Sequence, residues 1–179
     1  MYLFSRSFVS RSYNIAMSWY AIYTRPRHEK QFHQELCNKG LDAFLPTFKV
    51  RRRWSDRYKI VEEPLFKNYL FVNLDDFARY AAATLRSYGA VSFVTFDGKP
   101  APIPQLEIDA IRRLVESELP YDLHPYLQVG RRVRVRLGPL QGCEGILVRK
   151  KNIARLVLSV NFLQRSVSVE VDADNVEAF

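Results

Sequence analysis

The sequence predicts an α+β N-terminal domain, an antiparallel sheet flanked by helices, followed by a small β-barrel. Three observations predict it. Strand-like and helix-like runs alternate as far as residue 118, a Pro-containing stretch without periodicity follows, and beyond residue 129 every apolar run recurs at period two. Residues 1–17 are read as a disordered or basic extension, 18–118 as the first domain, 119–128 as a linker and 129–179 as the barrel.

Trp19 to Thr24 alternates bulky residues with β formers and reads as the first strand. His28 to Lys39 lacks Gly and Pro and places Phe32, Leu36 and Lys39 on one face, with Gly40 suited to close a helix. Phe44 to Trp54 is extended and basic at its end; Ser55-Asp56 marks a turn before Arg57 to Val61, which together predict a long hairpin. Leu65 to Leu74, the most apolar stretch, predicts a central strand, and Asp75 or Asp76 a helix cap, because a short carboxylate accepts hydrogen bonds from first-turn amides. Val91 to Phe96 returns to strand, Asp97-Gly98 turns, and Pro104 opens a helix with Ile108, Ile111 and Val115 facing inward.

After Pro120 the pattern is purely β: Val133/Val135/Leu137, Ile146/Val148, Leu156/Leu158/Val160 and Val167/Val169/Val171. So many short strands in so few residues bury a core only by closing on themselves.

The 179 residues are 47% apolar and 26% charged, an ordinary globular composition. A net charge of +8 favours a polyanionic partner, since phosphates release counterions when basic side chains bind. The charge is uneven. Residues 18–60 hold 10 basic and 4 acidic side chains, 61–128 hold 6 and 10, and 129–179 hold 9 and 5, which makes two basic blocks around an acidic middle.

Cys37 and Cys143 lie far apart with no neighbour at zinc spacing, so no metal, cofactor or disulfide framework is expected, and a reducing cytoplasm is the expected home. No apolar run approaches the roughly 18 residues of a membrane span, and a monomer away from membranes is expected. His28, His33 and His124 stand near no nucleophile pattern, phosphate-cradling glycine loop or carboxylate pair, which argues against an enzyme.

Two motifs carry the functional reading. Val129-Gly130 and Val133-Arg134-Val135-Arg136-Leu137-Gly138-Pro139-Leu140-Gln141-Gly142-Cys143-Glu144-Gly145 resembles the KOW motif of an SH3-like barrel. Pro64-Leu65-Phe66-Lys67-Asn68-Tyr69-Leu70-Phe71-Val72, with Trp19-Tyr20, resembles the N-terminal domain of the NusG family, and Asn68 is closer to its RfaH-like branch. The resemblance runs over residues 18–179 in the family's order.

It implies a transcription elongation or antitermination factor whose N-terminal domain docks on the clamp helices of the largest catalytic subunit of RNA polymerase. By position it implies Tyr23, Phe66, Tyr69, Phe71 and Phe96 as the docking aromatics, flanked by Ile108 and Ile111. Alternate residues of one strand share a face, so several such rings exposed together form a large apolar patch; buried, they are ordinary core.

Arg25, Arg27 and His28 at a helix entrance, with Gln31, Ser87 and Tyr88, fall where RfaH-like proteins meet non-template DNA. Arg51, Arg52 and Arg53 with Trp54 suit upstream DNA or a charged hairpin that resists edge pairing. In the barrel, Leu140, Cys143 and Ile146 lie where the resemblance puts contact with a small-subunit ribosomal protein or Rho. The strict alternation of Ser166 to Val171 argues for a permanent barrel. A ribosome-associated or RNA-binding protein without a polymerase role is the competing reading, and a protein-interaction adaptor a third.

Overall fold

The computed structural model describes residues 17–54, 56–124, 130–150 and 153–178. Of the expected N-terminal extension over residues 1–17, residues 1–16 lie outside them.

The first sheet is built on β1 (Ser18–Thr24). Its partners are β5 (Tyr69–Leu74), with Ala21 opposite Phe71, and β6 (Ala90–Phe93); β2 (Asp42–Phe44) completes the antiparallel order β2-β5-β1-β6. Successive side chains of β1 point to opposite faces, and each face has its own cover.

One face carries Ile22, Leu70, Val72 and Phe93 and packs on Phe32 and Leu36 of α1 (Glu29–Asn38) and on Phe77, Tyr80 and Ala81 of α2 (Phe77–Leu85). Asp76 caps α2 through the Arg79 amide at 3.1 Å. The other face carries Trp19, Ala21 and Phe71 and receives Ile108, Ile111 and Leu114 of α3 (Gln105–Glu116). The indole N–H of Trp19 donates to Gln105 Oε1 at 2.9 Å and the Ile103 amide to the Trp19 carbonyl at 2.7 Å, fixing the start of α3 on β1.

The expected strand over Leu65 to Leu74 begins only at Tyr69. Asn68 takes a left-handed φ of 66°, which Asn tolerates, and the Tyr69 amide returns to the Phe66 carbonyl at 3.1 Å. A turn therefore separates Phe66 from the strand that carries Tyr69 and Phe71.

Two hairpins project from this layer: β3 (Thr47–Arg53) with β4 (Tyr58–Pro64), and the short β7 (Thr95–Phe96) with β8 (Lys99–Pro100). Beyond α3 a second antiparallel sheet has the order β14-β10-β11-β12-β13-β9. Its strands are β9 (Tyr121–His124), β10 (Arg131–Val135), β11 (Glu144–Lys150), β12 (Ile153–Val160), β13 (Arg165–Glu170) and β14 (Val176–Ala178). Ser166, Val167, Ser168 and Val169 are all buried, so β13 is covered on both faces. Within the stretch read as a linker, residues 121–124 pair with β13 as strand β9, while 125–129 lie outside the described residues.

The second sheet rests on α3. One continuous apolar cluster runs from Trp19, Phe66 and Phe71 through Ile108, Ala110 and Leu114 to Val133, Leu140, Leu156, Leu158 and Val169. Glu107, Ala110 and Arg113 are three residues apart and share the helix face turned to that sheet. Glu107 accepts the Asn161 amide at 3.1 Å and its side-chain amide, and Arg113 donates to the Gln141 carbonyl at 2.7 Å.

Candidate partner-binding surfaces

Tyr23 and Tyr69 face each other across β1 and β5, ring edge to ring face at 5.5 Å, with Tyr23 37% exposed. Phe96 stands at the tip of the β7–β8 hairpin and is 73% exposed. These three form the accessible part of the expected aromatic set.

The rest is interior, a correction to the exposed apolar patch that the resemblance implies for this set. Phe71 is fully buried, stacked against Phe44 at 6.2 Å and met edge-on by Phe66 at 6.1 Å. Ile108 and Ile111 are buried on the face of α3 turned to this sheet. The cause is twofold: the helix closes over that sheet face, and the second sheet extends the same core. Even Tyr69 is half-buried, with the Arg165 guanidinium 5.9 Å above its ring.

Around the start of α1, Arg25, Arg27 and Gln31 are exposed and His28 is half-buried. Tyr88, 52% exposed, lies 5.2 Å from the His28 ring and beneath Arg25 at 5.9 Å, so Arg25, His28 and Tyr88 form one group. Gly89 permits it: with φ +98°, a Cβ there would meet His28 Cβ at 3.0 Å. Ser87 is a correction. It is buried, accepts from Lys39 Nζ at 2.6 Å and donates to the Ala83 carbonyl, so it faces inward. Lys39 also bonds Glu35, which with the Tyr88 amide holds that carboxyl below its usual range.

Arg51, Arg52 and Arg53 are exposed along β3, but they divide. Arg52 makes a two-pronged pair with Glu63 at 2.7 and 2.8 Å; Arg51 lies over the Tyr58 ring at 4.2 Å. Trp54, the expected stacking platform, has Lys59 Nζ 4.1 Å over its ring.

In the second sheet Leu140 and Cys143 are buried and Ile146 half-buried, another correction to an open surface. Arg113 Nη1 sits 3.8 Å from Cys143 Sγ, and burial pushes the thiol's pKa up, opposed by that guanidinium. A cavity of about 440 Å³ between α3 and the sheet is lined by Glu107, Arg113, Cys143, Ile146 and Asn161. Glu107, Arg113 and Asn161 were not found from sequence; Ala110 among the helix's apolar positions was the signal of a second covered face.

Among the described residues no group of three His, Cys, Asp or Glu side chains is disposed to hold a metal, and no helix is long and apolar enough to cross a membrane. A sheet layered between helices, with a rolled β-module on one helix and exposed aromatic and basic groups at its rim, defines a binding scaffold. Residues 17–112 match the family described as transcription termination factor nusG. The transcription termination/antitermination protein NusG of Lactococcus lactis subsp. lactis (strain IL1403) is 28% identical over 176 residues, covering 89% of this chain and 91% of that one. The Thermotoga maritima NusG structure, solved for its domain interaction, aligns with TM-score 0.53 at 19% identity over 91% of this chain and 97% of that one. The chain belongs to the NusG family of transcription factors.

Proposed function

We propose that residues 18–118 bind RNA polymerase during elongation and that residues 129–179 recruit a second factor, in the manner of an antitermination factor. The observation that carries the docking half is the edge-to-face pairing of Tyr23 with Tyr69 in a NusG-family chain, with Tyr23 and, on its own hairpin, Phe96 both exposed. The polymerase partner is the clamp helices of its largest catalytic subunit. Phe66, Phe71, Ile108 and Ile111 belong to the packed core against which Tyr69 sits.

Arg25, Arg27, His28, Gln31 and Tyr88 meet the non-template DNA strand, with guanidiniums for phosphate and the ring for a base. The recruiting surface centres on Leu140, Cys143 and Ile146, and its partner is a small-subunit ribosomal protein or Rho. Because α3 and that surface cover each other, recruitment requires the second sheet to leave α3.

Co-purification from nuclease-treated lysate tests the reading. Polymerase retained by the unaltered chain and lost with Tyr23→Ala/Phe96→Ala supports it. Loss of all partners on nuclease treatment supports the RNA-binding alternative instead.

A further inference from the structure

A second cavity, of about 660 Å³, lies where the β3–β4 hairpin, the end of α3 and the start of β9 meet. Alternation along β3 puts Phe48 and Val50 on one face of the hairpin, and both line the cavity together with Leu114 and Val115 from the last turn of α3. Leu119 and Tyr121 complete the apolar lining, with the Phe48 and Tyr121 rings edge to face at 5.2 Å. Tyr121 is paired with Val169 of β13, so its wall belongs to the second sheet, whereas the walls from β3 and α3 belong to the first domain. The cavity is therefore complete only while the two are together.

The charged residues at its rim are paired or turned away. Lys49 bonds Glu118 at 2.8 Å, Glu62 lies 3.6 Å from Lys30, and the Arg51 guanidinium sits over the Tyr58 ring at 4.2 Å on the hairpin's other face. The Tyr121 hydroxyl is shut off from solvent and has no partner among the described residues; burial pushes its pKa up, so no charge arises there. Water in this space would lie against rings and aliphatic side chains with few hydrogen bonds to gain, and an apolar ligand displaces such water favourably. Sites that enclose small molecules span roughly 300–1,000 Å³, and this volume falls among them.

We propose that this cavity binds a neutral, ring-bearing small molecule, which by touching β9 and the first domain at once holds the second sheet on α3. A ligand that binds only the joined form stabilises that form by mass action, so occupancy opposes the separation that recruitment requires. The binding half stands on the cavity alone. The coupling half rests on the separation of the second sheet from α3 given above.

The test uses the full chain carrying Cys37→Ser and the uncharged fluorophore N-phenyl-naphthylamine, whose emission rises on leaving water. Saturable binding of one molecule per chain is expected. Val50→Trp and Val115→Trp, which fill the cavity from β3 and from α3, should each weaken it roughly tenfold or more, and circular dichroism with urea midpoints shows which variant keeps the fold. Leu106→Ser, an exposed position at the other end of α3, should bind as before, as should Tyr121→Phe, which removes only a hydroxyl that faces no solvent. The sulfonated analogue of the fluorophore should show no binding that the filled variants lose. Saturating fluorophore should slow maleimide modification of Cys143 roughly fivefold or more. Absent or non-saturable binding, full affinity in a folded filled variant, loss with Leu106→Ser or Tyr121→Phe, or cavity-dependent binding of the sulfonate would each overturn the site. An unchanged Cys143 rate at saturation would overturn the coupling. A Cys143 that never reacts, even without fluorophore, would contradict the separation itself and the coupling with it, while the binding data still decide the site.

Discussion

Arg113 of α3 donates to the main-chain carbonyl of Gln141 at 2.7 Å, and this bond lays the helix over the loop that carries Leu140 and Cys143. The loop that the family resemblance assigns to a second partner is thereby covered by a helix of the first domain. With Glu107, on the same helix face and bonded to Asn161 just beyond β12, Arg113 forms the polar frame of an otherwise apolar contact.

Removing the Arg113 bond should free the second sheet more often. A hydrogen bond from a charged donor contributes about 1 kcal/mol net at an exposed site, so Arg113→Ala should raise the opening equilibrium roughly fivefold. The rate at which a maleimide modifies Cys143, with Cys37 changed to Ser, reads this directly; an unchanged rate would show that the bond does not hold the contact.

Glu107 makes the contact sensitive to pH. Burial raises its pKa above the ordinary 4.5, against the opposing hydrogen bonds from Asn161. The folded chain therefore holds the proton to higher pH than the unfolded chain does. Stability from this group is full below pH 4.5 and declines as pH rises through the folded value. The carboxyls held low, Glu35, Glu63 and Glu118, act in the opposite sense and below 4.5, so they do not mask it. In urea titrations the unaltered chain should lose stability relative to Glu107→Gln as pH is raised from 4.5 toward neutrality.

Phe71 and Phe96 should separate core from surface. Phe71→Ala removes a fully buried ring and should cost about 3–5 kcal/mol of unfolding free energy. Phe96→Ala, at an exposed hairpin tip, should change stability by less than about 0.5 kcal/mol. Urea midpoints measure both, and similar losses would contradict the placement of these rings.

Gly89→Ala should destabilise by about 1 kcal/mol or more, because its φ of +98° disfavours any side chain and the new Cβ would press on His28. Thermal unfolding measures the cost. Nuclear magnetic resonance should also show His28 and Tyr88 shifted; unmoved signals would mean that their ring contact does not depend on the glycine.

Much of this architecture was legible because it is local. The alternation of Trp19 to Thr24, the Asp76 cap and the period-two valines of β10 to β13 each follow from residues a few positions apart. The failures are long-range. Ser87 turns inward because Lys39, 48 positions away, takes its hydroxyl. Phe66 leaves the strand because Asn68 turns left-handed, and its amide bonds Glu29 at 3.0 Å from another element. The strand at residues 121–124 is too short to show a period and exists through pairing with β13. Burial of Leu140 and Cys143 depends on α3, which no pattern within the barrel announces.

The claim on which the function depends is that Tyr23, Tyr69 and Phe96 meet the polymerase. Equilibrium binding of the full chain to purified RNA polymerase elongation complex, comparing the unaltered protein with Tyr23→Ala/Phe96→Ala, tests it most directly. Loss of two interface aromatics should weaken binding at least tenfold while unfolding free energy stays within about 1 kcal/mol. Equal affinity for the two proteins would contradict the account.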